Sequence, residues 1–332
     1  MRIRLADVEP SPDVFASVMA TGIVSIAANK HHYGRISETL GVLALLGLAV
    51  LVALVILTRR FSVWDLRDPD VTLRLFTFVA ACAVLDSRLA SHVTMVLVLG
   101  AAALSSWVAL IVLSARNMLA HSWTALRDDA HGAWELASVG TSGLAIVAAK
   151  VARSIAEPWW LSVAVPIWLL ALCVYGLMTW LILWRARMDL ADRQSGFEPD
   201  SWILMGGLAI ATLAGDNIHS LAPAWLAATV RVVTVVTWVA ASLWIPALTY
   251  LGLRWINQRP GAVRFAGVWW AIVFPLGMYS AATDAMAAEL GRRSLDTVSL
   301  VFFWVAVAAW LIVVVAGLLR VAGRANRDAG RP

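Results

Sequence analysis

Five stretches of this chain, Gly41–Leu57, Val93–Ser114, Leu161–Trp184, Val232–Leu251 and Val298–Leu319, carry no charged side chain. A helix rises about 1.5 Å per residue, so runs of this length are what it needs to cross a hydrocarbon core roughly 30 Å thick. Within a bilayer every backbone N–H and C=O must be bonded inside the segment or to its neighbours, which selects the helix for such runs. Composition agrees. Of 332 residues, 61% are apolar and 14% charged, whereas soluble domains carry about 25% charged residues. A soluble enzyme, a disordered chain and a disulfide-stapled secreted domain are thereby excluded.

Shorter and more polar stretches lie between the long ones. Together they predict ten spans, at about 12–28, 36–58, 71–87, 91–115, 133–152, 158–184, 201–217, 224–252, 265–284 and 297–320. The odd spans are interrupted by glycines and polar residues; the even spans are long and continuously apolar. Odd spans start near residues 12, 71, 133, 201 and 265, a spacing of about 60 to 70 residues that reads as a structural repeat. The expected fold is all-α and membrane-integral: five helical hairpins around a central pore, odd helices inside and even helices facing lipid. The whole chain, 1–332, is expected to form one transmembrane unit with short tails at about 1–11 and 321–332.

The 26 basic residues divide unevenly among the connections. Seventeen fall at the N-terminus, in loops after even spans and in the C-terminal tail, among them Arg59, Arg60, Arg185, Arg187, Arg324 and Arg327. Six fall on the other side: Lys30, Arg35, Arg88, Arg153, Arg292 and Arg293. This places both termini in the cytoplasm of a multi-pass inner-membrane protein. The net charge of +5 follows from the same bias and implies no nucleic-acid partner. The N-terminal segment, with two acids and two prolines, reads as a poor signal peptide, so the first apolar segment is expected to remain. Of 18 tryptophans, Trp134, Trp159, Trp160, Trp184, Trp202, Trp225 and Trp255 stand near span ends, where an interfacial belt is expected.

No catalytic or nucleotide-binding motif is present. Cys82 and Cys173 have no CxxC or Cys/His partner, and adjacent His31 and His32 point about 100° apart on a helix, so neither a metal nor a cofactor is expected. The first span aligns Ser17, Thr21 and Ser25 on one helical face, beside Gly22. Such a strip either faces a pore or bonds within and between helices. Thr141, Ser142, Thr212 and Ser280 are the corresponding pore-lining candidates on other odd spans. In the ninth span Pro275 is expected to kink the helix and free a carbonyl. Phe274, just before it, either plugs a narrow path or packs a core. Lys150, near the outer end of the fifth span, and Asp216, in the polar GDNIHS segment, are outer-mouth candidates. Lys150 either draws anions or snorkels to the interface.

The segments VMATGIVS (18–25), DLRDPDVTLRLFTFVAA (65–81), GAWELASVGTSGLAIVAA (132–149), SWILMGGLAIATLAG (201–215) and VFPLGMYSAAT (273–283) resemble those of the tellurite-resistance/C4-dicarboxylate transporter family. That family includes bacterial tellurite-resistance proteins, plant slow anion channels, and fungal malate permeases and sulfite pumps. The resemblance implies a ten-helix channel, a homotrimer, and a pore-occluding phenylalanine at Phe274. Relatives kink several inner helices with proline; here the ninth alone has one mid-span, which implies a different pore width. The resulting expectation is a channel or transporter for small anions or C4-dicarboxylates, not an enzyme, with the lipid bilayer and small anions as its partners. A proton-coupled malate-type carrier, or a tellurite- or sulfite-related exporter, is the alternative. It would need a titratable group in the path, for which Glu135, Asp216 and Asp284 are the nearby choices. An intramembrane enzyme or a receptor is the remote one.

Overall fold

The computed structural model describes residues 11–58, 64–90, 92–155, 158–191, 198–258 and 269–329. Most of the expected N-terminal tail and several loop arginines, including Arg59, Arg60, Arg193, Arg259 and Arg264, lie outside them. The described residues are helical, with no strand among them. In order they form α1 (Ala16–Lys30), α2 (Gly34–Leu57), α3 (Pro69–Arg74), α4 (Phe76–Arg88), α5 (Val93–Ala120), α6 (Trp123–Asp129), α7 (Leu136–Ile155), α8 (Leu161–Ala191), α9 (Ile203–His219), α10 (Ala224–Gln258), α11 (Trp270–Leu290) and α12 (Arg293–Ala329). Single 3₁₀ turns at Gly132–Glu135 and Pro199–Trp202 lead into α7 and α9.

Among the described residues, eight helical segments are long and apolar enough to cross a membrane. The first and third expected spans fall short of that length: α1 has 15 residues and α4 has 13. The third stretch is divided at Leu75, which ends α3 and starts α4. Asp68 begins α3 by accepting the Asp70 N–H, with Pro69 fixing the first turn. At the other extreme, α8, α10 and α12 run past the expected span ends, and α12 takes up residues 321–329 of the expected C-terminal tail. The short helix α6, capped by Ser122, lies in a connection read from sequence as a loop.

Burial separates the helices into two sets. The span windows ending α7, α9 and α11 are 89%, 72% and 83% buried, while those of α2, α5, α8, α10 and α12 stay at or below 28%. The exposed side chains of the second set are apolar, among them Val50, Leu97, Leu243 and Ile312, as lipid contact requires. The buried helices touch in a closed sequence: α1 against α4, α4 against α7, α7 against α9, α9 against α11, and α11 back against α1. Each carries a long helix packed on it: α2 on α1, α5 on α4, α8 on α7, α10 on α9 and α12 on α11. Close approach within the ring depends on small residues. A Cβ on Gly22 would stand 2.7 Å from Val84, and one on Gly206 would stand 3.0 Å from the Pro275 ring.

Candidate functional site

The five buried helices enclose space at both ends. Near their starts, a cavity of about 340 Å³ is bounded by Ala16 and Met19 of α1, Arg74 of α3, Leu136 of α7, Ile203 of α9 and Ala271 of α11. We call this the proximal cavity. Near their ends, a distal cavity of about 270 Å³ is bounded by Ile23 and Lys30, Ala83 and Ser87, Gly143 and Lys150, Ile210 and Asp216, and Met278, so all five helices contribute. Residues 16, 19, 23, 26 and 30 of α1 recur at helical spacing, so one face of α1 serves both cavities.

Phe274 stands between Ala271 and Met278 on the corresponding face of α11, three residues past one and four before the other. It is fully buried, as is Phe76 on α4. Phe76 sits seven residues before Ala83 on the same face and packs against α7, where a Cβ on Gly140 would meet its ring at 3.0 Å. By helical spacing both phenylalanines fall at a depth between the residues that line the two cavities, though neither lines either one. Sequence reading singled out Phe274 alone; the helical spacing of Phe76 to Ala83 and Ser87 was the available signal. Pro275 lies inside α11 with its ring against α9 at Gly206.

The hydroxyl candidates face the surrounding helices. Ser17 donates to the Val14 carbonyl in the turn before α1. Thr21 donates to the Ser17 carbonyl and accepts the Trp310 indole N–H from α12 at 2.9 Å. Ser25 donates to the Ser37 carbonyl of α2 and accepts from Arg88. Thr141 accepts from Trp107 of α5, Thr212 meets Thr237 of α10, and Ser280 exchanges bonds with Ser299 of α12. Ser142 is buried with its Oγ unbonded, and Gly22 packs on Val84. The Thr21 face is thus offset from the cavity face of α1. These bonds hold inner to outer helices, each worth on the order of 0.6 to 2 kcal/mol in a membrane. Trp238 of α10 likewise donates to Thr283, and Trp168 of α8 to the Ala211 carbonyl. Tryptophans inside spans, to which the sequence reading gave no role, are part of this bonding pattern.

The proximal end carries an ionic cluster that sequence reasoning missed. His131, just before the 3₁₀ turn into α7, points Nδ1 at Asp200 and Nε2 at Asp70, each at 2.6 Å. Arg74 pairs with Asp70, the Trp134 indole donates to the same carboxylate, and the Ala133 N–H donates to Asp200. Trp134 is fully buried here, away from the interfacial belt expected for it. Burial opposes charge on His131, but bonds and attraction from Asp200 and Asp70 outweigh it and push its pKa up to about 9. Desolvation acts to raise Asp70, yet His131 and Arg74 hold its carboxyl below the usual aspartate range. Gly132 makes the cluster possible: a Cβ there would lie 2.3 Å from the Asp200 main chain. Asp70, His131 and Asp200 are 61 and 69 residues apart, the spacing of the repeat, and that recurrence was the signal in the sequence.

At the distal end, Lys30 pairs with Asp284 at 2.7 Å. Arg153 donates to Ser220, and Lys150 donates to the Ser87 carbonyl at 3.2 Å. Lys150 and Arg153 thus reach the cavity wall with neutral hydrogen-bond partners. Asp216 lines the same cavity. Glu135 is fully buried and accepts from Ser138 and Thr179, on the side of α7 facing α8. Among the described residues no cluster of three His, Cys, Asp or Glu side chains could hold a metal ion.

The sequence profile of a family described as Voltage-dependent anion channel matches residues 10–318 of this chain. Two relatives from Mycobacterium tuberculosis, strains CDC 1551 / Oshkosh and ATCC 25618 / H37Rv, are each described as an uncharacterized membrane protein. Each is 31% identical to this chain over 143 residues, covering 41% of this chain and 71% of the relative.

Proposed function

We propose, starting from the fact that this chain belongs to the voltage-dependent anion channel family, that small anions pass through the ring of α1, α4, α7, α9 and α11, from one cavity to the other. The observation that carries this reading is the pair of cavities within one ring of helices, parted by a layer in which Phe274 and Phe76 are fully buried. In this reading Phe274 is the gate and the backbone around Pro275 positions it. The path is walled by Met19, Ile23, Gly143, Ile210 and Met278 rather than by the hydroxyls of Ser17, Thr21 and Ser25. A wall with few fixed charges binds weakly and favours throughput. Lys150, with Asp216 elsewhere on the same wall, sets the local field at the distal mouth.

The remaining parts of the reading follow from the family resemblance and the arginine distribution. The ten helices form five hairpins in one transmembrane unit. The proximal end faces the cytoplasm of the inner membrane, with both chain termini, and three copies assemble. C4-dicarboxylates belong among the anions to be tried, because related transporters carry them.

The test is flux into proteoliposomes for chloride, nitrate, sulfite, tellurite, succinate and malate, with and without a pH gradient. A channel passes small anions down their own gradient with no pH gradient imposed. Flux that requires the pH gradient supports the carrier alternative. Absence of flux for every anion overturns the reading.

A further inference from the structure

We propose that Asp86 is the charge partner of Lys150 in the empty distal cavity, and that Asp86 takes up a proton when an anion occupies that cavity. The inference rests on the reading of this cavity as part of an anion path, and adds a proton-linked residue behind its wall.

Asp86 is 1% exposed, near the end of α4, and its Oδ1 has no hydrogen-bond partner. It does not line the cavity; its neighbour Ser87 does. The carboxylate instead sits at the junction of α4, α5 and α7. A Cβ on Gly100 of α5 would be 3.6 Å from Asp86 Oδ1 and 3.6 Å from Val147 of α7. Lys150 stands three residues beyond Val147, within electrostatic reach of Asp86, and its ammonium hydrogen-bonds the Ser87 carbonyl, the very next residue. Lys150 is therefore a cationic side chain that both lines the cavity and acts on Asp86.

A buried carboxylate with a bare oxygen inside a membrane helix is costly while ionised. Two things relieve that cost: a nearby cation, or a proton. Lys150 supplies the cation while the cavity is empty. An anion entering the cavity attracts the ammonium of Lys150, which lines it, and repels the carboxylate. The balance then shifts toward protonated Asp86. The proton comes from solution onto a carboxylate oxygen and returns there when the anion leaves; no bond other than that O–H forms or breaks.

The other charges nearby do not replace this pairing. Facing Lys150 are Arg153 on its own helix and Lys30 on α1, both like charges. Lys30 is held by Asp284 of α11, and on α9 Asp216 is faced by Lys30, Arg153 and His219 and by Glu289 of α11. On α4 the thiol of Cys82 also acts on Asp86, Arg88 is turned to Ser25 of α1, and α5 is uncharged from Val93 to Ser114.

Linkage fixes the sign. If occupancy takes up a proton, apparent anion affinity falls as pH rises, by up to about tenfold per pH unit through the titration of one group. The experiment adds chloride, and separately nitrate, to purified full-length protein in weakly buffered detergent solution, and follows proton uptake with an indicator dye from pH 5 to 8. Wild type should take up protons on addition of either anion. Asp86→Asn should bind with an affinity independent of pH and take up none. Lys150→Gln should bind either anion several-fold more weakly at low salt and take up no protons. Asp86→Glu should restore uptake, which separates the role from packing. No uptake by wild type at saturating anion, or undiminished uptake by folded Asp86→Asn, overturns the inference. This readout does not need an open pore. Proton uptake without flux would count against the conduction reading alone, and flux without uptake against Asp86 alone.

Discussion

The two ends of the inner helix ring use charge in opposite ways. At the proximal end, His131, Asp70, Asp200 and Arg74 bond one another and join the entrances of α4, α7 and α9. At the distal end, Lys150 and Arg153 are held by a carbonyl and a hydroxyl and reach an open cavity. A charge satisfied by other buried charges fixes helices in place, because breaking one partner strands the rest. A charge hydrogen-bonded to neutral groups, with its carboxylate partner set behind the wall, keeps part of its field available to a solute. The cavity walls show the same division: Asp13, Glu198 and Asp200 outnumber Arg74 proximally, while Lys30, Lys150 and Arg153 outnumber Asp216 distally.

The largest effect that sharpens this contrast is expected at Gly132. Gly132→Ala forces a Cβ into the Asp200 main chain, which cannot yield as a flexible side chain would. We expect a loss of at least about 3 kcal/mol, at the upper end of overpacking effects, read as lost folded yield in detergent. Gly176→Ala on α8, with nothing within 4 Å of its Cβ, should be silent in the same assay. Equal yields for the two variants would break the view of the proximal end as a tightly fitted joint.

A somewhat smaller effect is expected from pH. The His131 pKa is raised from an ordinary value of 6.5 to about 9 in the folded protein. The stabilisation it contributes is therefore complete below pH 6.5 and is lost as pH climbs through 9. The displacement corresponds to about 3 kcal/mol. Thermal unfolding of wild type from pH 6 to 10 should show Tm falling over that window, and His131→Gln should flatten that fall. A variant with the wild-type pH profile would remove His131 from the account.

The smallest effect belongs to the distal charge. Lys150→Gln should lower chloride flux several-fold at about 10 mM salt and little at about 1 M, because the screening length shrinks from about 30 Å to about 3 Å. Identical flux at low salt would return Lys150 to an interfacial anchor.

The alternation of long apolar and short polar runs foreshadowed the division into exposed and buried helices, because lipid contact tolerates no charge and that constraint is written residue by residue. The break at Leu75 was not legible: VTLRLFTF carries no glycine or proline to mark it, and only packing divides α3 from α4. The Ser17, Thr21 and Ser25 face was visible as a strip, but its direction depended on Trp310 and Ser37, which lie on other helices. The His131 cluster joins residues more than sixty positions apart, so pairwise reading within a span could not assemble it. Lys150 and Asp216 were legible as span-end charges near one another in depth, whereas the position of Asp86 behind the same wall required the helix packing.

The central claim is that the layer holding Phe274 separates two halves of one anion path. It is tested most directly by chloride flux per folded protein in Phe274→Ala, set against Phe303→Ala. Phe303 of α12 is also fully buried, but it packs against His31 and Tyr33 in the α1–α2 connection, and α12 contributes no residue to either cavity. Both truncations should cost stability, on the order of 3–5 kcal/mol. Only Phe274→Ala should raise flux, by tenfold or more over wild type, because only there does the lost ring join the two cavities. A well-folded Phe274→Ala protein that conducts no better than Phe303→Ala would contradict the account.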